Sequence, residues 1–110
     1  MKKVYISFVM VLNVVFANPI SNNNLNTGED VFKTYCWGCH HQTSVAFGPS
    51  FAQIANTRTR GEIQGQIVSP QSMYEQLGYK RTAMPAFGDT LSQKEIDLIT
   101  DFIVSFKGAI

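Results

Sequence analysis

The two cysteines of this 110-residue chain stand three positions apart, in Cys36-Trp37-Gly38-Cys39-His40. No other Cys exists, which excludes a multi-disulfide scaffold and an all-cysteine zinc site. The fold must therefore rest on a packed core, on whatever this five-residue motif binds, or on both. The length supports one domain. With 8 Gly, 4 Pro and no repeat, the chain is neither low-complexity nor fibrous. A formal net charge of +1 without a basic stretch gives no nucleic-acid footprint.

The first residues read as an export signal. Met1-Lys2-Lys3 is a short positive start, and Val4–Ala17 is apolar apart from Ser7 and Asn13. Val15-Phe16-Ala17 offers a cleavage site, and no Cys follows that could carry a lipid. The run is shorter than the ~20 apolar residues of a comfortable span, although an uncleaved anchor is the alternative. Cleavage leaves 93 residues, with seven Lys and Arg against eight Asp and Glu, so the charge becomes −1. Residues 18–26 are polar and Asn-rich and read as a flexible lead into a domain spanning 27–110.

The rest of the chain predicts an all-α domain of about four helices. Thr27 is an N-cap, and Val31, Phe32 and Tyr35 follow at helical spacing, so a first helix runs to about Cys39. Residues 41–52, with Gly48-Pro49, read as loop. A helix over Thr59–Val68 places Ile63 and Ile67 on one face. Ser69-Pro70 stops it, and a short helix over Gln71–Leu77 ends at Gly78. The last helix has a capping box, Ser92 with Glu95, flanked by the staple pair Leu91 and Ile96. Its stripe is Ile96, Ile99, Ile103 and Phe106, and Lys107 and Gly108 suit its C-terminal end.

This layout leaves a physical deficit. A chain of this size buries a modest fraction of its surface. Residues 40–58 and 78–91 read as long irregular connections, uncommon in a small domain unless they are functional. A large apolar cofactor between them would supply the missing core.

Cys36-x-x-Cys39-His40 is a haem c attachment signature. Two thiols at this spacing reach the two vinyl groups of one porphyrin, and the adjacent imidazole reaches the iron. Other readings fare worse. Structural zinc needs four ligands, and only His41 is left to help. A thioredoxin-like pair needs a strand before it, and no segment alternates at period two. A plain disulfide ignores the histidine. An export signal also suits haem attachment, which takes place outside the bacterial cytoplasm.

The chain resembles the small bacterial class I cytochromes c, monohaem electron carriers of the c-551/c-553 type, over nearly all of residues 27–107. Gly28 and Phe32 match the glycine and aromatic of that family's first helix. Gly48-Pro49-Ser50-Phe51 is similar to its Gly-Pro element after the attachment site, and Met84-Pro85-Ala86-Phe87 to its distal loop. Ser92–Ile96 followed by Asp101-Phe102-Ile103 resembles its last helix. The resemblance implies helices with long loops wrapped around one covalently bound haem.

It also implies roles. His40 is the expected proximal iron ligand, with the Pro49 carbonyl accepting from its other ring nitrogen. Met84 is the expected distal ligand: Met1 and Met10 leave with the signal, and Met73 sits at a core-like helical position. His41 adjoins His40 and reads as surface, and Trp37 is assigned no chemistry. Val45, Phe47, Phe51, Ile54, Ile63, Ile67, Leu77, Tyr79 and Phe87 are candidates for the pocket wall or for ordinary core. Arg58, Arg60, Lys80 and Arg81 read as surface charges, with pairing to haem propionates or to a redox partner as the alternative. The expected function is that of a periplasmic, monomeric, one-electron carrier and not an enzyme. Its expected partners are transient: a donor such as a bc1-type complex and an acceptor such as a terminal oxidase or nitrogen-oxide reductase. The alternatives are a haem enzyme or gas sensor with an open distal site, and a cytochrome subunit docked permanently to a reductase or oxidase.

Overall fold

The computed structural model describes residues 25–109. The expected signal over 1–17 lies outside them, as does the lead up to residue 24; Leu25 and Asn26 are non-helical. The described residues are helical with no strand, as the sequence predicts.

Helix α1, Gly28–Val31, starts where Thr27 Oγ1 accepts from the Asp30 N–H at 3.1 Å. It continues as a wider π turn over Phe32–Cys36, in which the Trp37 N–H donates to the Phe32 carbonyl five residues back. The attachment motif leaves this turn through a tight bend. The Cys39 and His40 N–H groups both donate to the Cys36 carbonyl, at 3.2 and 3.0 Å. Regular helix thus ends at Cys36, three residues before the expected Cys39.

Helix α2, Phe51–Thr57, is a correction to the reading of 41–52 as loop and of 40–58 as one irregular connection. Ser50 caps it by accepting from the Gln53 N–H at 3.1 Å. Its buried side chains are Phe51, Ala52 and Ala55. Helix α3, Arg60–Val68, has a full capping box between Thr59 and Glu62 and buries Ile63 and Ile67 as expected.

Helix α4, Pro70–Met73, is shorter than the expected Gln71–Leu77, and its continuation is a series of turns. The terminator is the expected one. Gly78 takes φ 90°, and the Gly78 and Tyr79 N–H groups donate to Glu75 and Tyr74, closing a Schellman motif. Helix α5, Gln93–Val104, carries the Ser92–Glu95 capping box and buries Ile96, Ile99, Thr100 and Ile103.

Helices α1 and α5 cross at Gly28. A Cβ there would collide with the Leu98 carbonyl and the Phe102 side chain, so only glycine allows this approach. Phe32 and Phe102 meet at the crossing with ring centroids 5.5 Å apart, and Phe51 joins Phe32 edge-on at 5.1 Å. Val31, Phe32, Phe51, Ile63, Ile67, Leu91, Ile96, Ile99 and Ile103 form one core. Residues 78–91 stay irregular, yet they are sewn to the end of α3: Phe87 and Gly88 N–H groups donate to the Ile67 and Val68 carbonyls. One side of the core is thereby left facing a cavity instead of a further helix.

Candidate functional site

The cavity has a volume of about 360 Å³ and lies between the attachment motif, α2, α3 and the 78–91 segment. Cys36, Cys39, His40, Pro49 and Met84 all line it. The structure therefore brings these five expected site residues together, from segments up to 48 positions apart.

Its histidine edge is built by the loop that follows the motif. Gly48 N–H donates to the Cys39 carbonyl at 2.6 Å, and Phe51 and Ala52 N–H groups donate to His41 and Gln42 at 2.9 Å. These bonds fold the loop back on the motif and bring the Pro49 carbonyl to 2.7 Å from His40 Nδ1. A carbonyl only accepts, so Nδ1 carries a proton, and in the neutral ring the lone pair is then on Nε2. The His40 ring lies nearly parallel to Phe51, 26° and 5.6 Å apart. It also rests against Gly48, where any Cβ would collide with the ring.

The two thiols differ in setting. Cys36 is half-buried, and burial, with a smaller push from Cys39, raises its pKa to about 12. Cys39 is exposed at the cavity edge. Neither is joined to the other.

Of the expected wall residues, Phe47, Phe51, Ile54, Ile63, Ile67, Leu77, Tyr79 and Phe87 line the cavity. Val45 does not: it is 75% exposed, and Phe47 stands at the mouth, 80% exposed. Arg58 and Arg81 also line the cavity. Arg58 donates to the Leu77 carbonyl at 2.7 Å and covers the Tyr79 ring at 5.5 Å. Arg60 instead pairs with Asp101 at 2.7 Å on the surface. His41 is half-buried beside the exposed Trp37 ring, and neither lines the cavity.

Met84 lies on the irregular segment, half-buried among core residues. Met73 lies elsewhere: its side chain covers Gly65 on α3 and does not line the cavity. Gln66 is the site residue that sequence reasoning missed. Its Nε2 donates to the Met84 sulfur at 3.8 Å, and its Oε1 is buried with no hydrogen-bond partner among the described residues. The signal was its position on α3, next to Ile67 and about one turn on from Ile63, both of which line the same cavity.

A flat, largely apolar macrocycle with a metal at its centre fits this set. Two thiols, a free imidazole lone pair and a thioether converge on a cavity walled by aliphatic and aromatic side chains. The unpartnered Gln66 oxygen marks space where a further group belongs.

Comparison with known proteins agrees. Residues 23–103 match the family model described as cytochrome c oxidase, cbb3-type, subunit III. Among curated proteins, cytochrome c6 of Petalonia fascia is 29% identical over 83 residues, covering 74% of this chain and 92% of its own length. Cytochrome c6 of Alaria esculenta is 26% identical over 83 residues, covering 74% and 91%. No solved structure matches the chain. The chain belongs to the family of the cbb3-type cytochrome c oxidase subunit III model, and it is a monohaem cytochrome c whose covalently attached haem and iron carry electrons.

Proposed function

We propose that the chain is a one-electron carrier working outside the cytoplasm, with haem iron held between His40 and Met84. The observation that carries the reading is the His40–Pro49 hydrogen bond at the edge of a cavity that also takes in both thiols and Met84. The group supplies an Fe(III)/Fe(II) couple when bound. The residues do the rest. Cys36 and Cys39 would hold the group covalently, each thiol adding its sulfur and hydrogen across a vinyl C=C, so that the attachment would need no oxidant. His40, its tautomer fixed by Pro49, offers Nε2 to the metal. Met84 offers sulfur, a ligand that raises the potential relative to a second histidine.

Ile54, Ile63, Ile67 and Leu77 keep water off the site and so disfavour the more charged ferric state. With His40 and Met84 both holding the metal, no position on it would be left for a substrate, which supports a carrier over an enzyme. The signal-like residues 1–17 support export to the periplasm. Cysteine 39 at an exposed edge supports electron exchange there with transient partners, such as a bc1-type donor and a terminal oxidase or nitrogen-oxide reductase as acceptor.

Expression with a haem-attachment system tests this. One haem per chain, resistant to acidic organic extraction and cycling reversibly with one electron, is expected. Extractable haem or no haem would overturn the reading.

One observation favours a second reading. The matching family is described as an oxidase subunit, which fits a cytochrome docked permanently to a larger enzyme. Size-exclusion of the native periplasmic fraction separates the two: co-elution with a large complex supports the docked subunit, and elution near the monomer supports the carrier.

A further inference from the structure

The bond from His40 Nδ1 to Pro49 holds one edge atom of the imidazole. Such a bond keeps most of its strength over roughly 30° of tilt, so it restrains the plane of the ring only loosely. Phe51 supplies a second restraint. It is 2% exposed, and its ring lies offset-stacked on His40, 26° from parallel with centroids 5.6 Å apart. Phe51 is itself held by three other rings. Phe32 meets it edge-on at 5.1 Å, Phe102 edge-on at 6.1 Å, and Phe106 lies tilted against it at 6.5 Å. Its backbone is tied as well, since its N–H donates to the His41 carbonyl at 2.9 Å. The imidazole thus has a hydrogen bond at one edge and an immobilised aromatic plate along one face. An aliphatic side chain at position 51 would exclude water equally, but it would present no flat face.

We infer that Phe51 is a positioning residue that sets the plane of the His40 ring and keeps it there in both oxidation states. The inference rests on the proposal that His40 Nε2 binds the metal. An imidazole held through that nitrogen can still turn about the metal–nitrogen axis. As it turns, its π orbital overlaps a different metal d orbital. The plane of the ring therefore decides how the unpaired spin of the ferric state spreads over the macrocycle. A ring that cannot turn also leaves less to rearrange when an electron arrives or departs, which favours rapid exchange.

The test compares the ferric haem-loaded protein with Phe51→Leu by NMR. The paramagnetically shifted methyl signals of the haem report the ring plane, and the Nδ1–H signal of His40 reports the bond to Pro49. The methyl signals are expected to shift and change order while the Nδ1–H signal persists. Electron self-exchange between oxidised and reduced copies should slow. A packing control is Val31→Ala, which opens the core at a fully buried site that does not line the cavity. It should melt at a lower temperature and keep the parental methyl pattern. Phe51→Met provides the same comparison if the leucine variant fails to take up haem.

Parental methyl shifts in the Phe51 variant overturn the role of Phe51 and leave His40 as ligand. Changed shifts with the Nδ1–H signal lost also overturn it, because Phe51 would then only support the loop that carries Pro49. A His40→Ala variant with the parental haem spectrum overturns the ligation reading itself and this inference with it.

Discussion

Pro49 accepts a hydrogen bond from His40 Nδ1 at 2.7 Å, and this one contact decides which ring nitrogen remains for a metal. The contact depends on Gly48, the neighbour whose missing side chain makes room for the imidazole.

Gly48→Ala is therefore expected to push the ring away from Pro49. The cost should be about 1–3 kcal/mol, the usual range for overfilling a packed position. Thermal melting of the haem-loaded protein checks the loss, and the Soret position checks that His40 has been disturbed. A variant with parental melting and spectrum would show that the ring does not need this space.

Gly28 poses a similar problem at the far end of α1. Gly28→Val must part α1 from α5, because Leu98 and Phe102 already fill the space. A loss of about 1–3 kcal/mol in denaturant unfolding is expected, with the haem spectrum little changed. The two glycines thus separate packing of the fold from geometry of the site.

Glu62 gives a pH dependence. The Thr59 N–H donates to its carboxylate at 2.8 Å and holds its pKa below the ordinary Glu value of 4.5. The charged form therefore favours the folded α3 terminus above that value. Its contribution is lost as pH falls through the lowered pKa. Amide exchange in the first turn of α3 should quicken on acidification through this range, and Glu62→Gln should flatten the change. Equal acid sensitivity in the variant would refute this assignment.

The motif residues make a stronger prediction. Cys36→Ser combined with Cys39→Ser prevents covalent attachment, and the chain then lacks the group that fills its cavity. It should be largely unfolded, with a poorly dispersed NMR spectrum. A well-dispersed spectrum from the haem-free double variant would show that the polypeptide core suffices.

Much of this was legible in the sequence where local chemistry acts over a few residues. The Ser92–Glu95 box, the Ile96, Ile99, Ile103 stripe and Gly78 as terminator all appear as expected. Helix α2 was hidden by its length. Seven residues give barely two turns of periodicity, although Ser50 and Gln53 at capping spacing and buried Phe51 and Ala55 were its signals. The π turn before Cys36 has no residue signature, since it is set by how the motif leaves α1. Gln66 escaped because a Gln on a helix reads as surface until the partner of its face is known. The placement of Val45 failed for a related reason: apolar bulk in a loop says nothing about which way the loop turns.

The most direct measurement is the oxidised visible spectrum of the haem-loaded protein beside Met84→Ala and Met73→Ala. A weak far-red band, the mark of sulfur on ferric iron, is expected in the parent and in Met73→Ala, whose residue 73 only covers Gly65. In Met84→Ala the band should vanish, the potential should fall and CO should bind the reduced form rapidly. A parent protein without the band that already binds CO, or a band lost with Met73 and kept without Met84, would contradict the account.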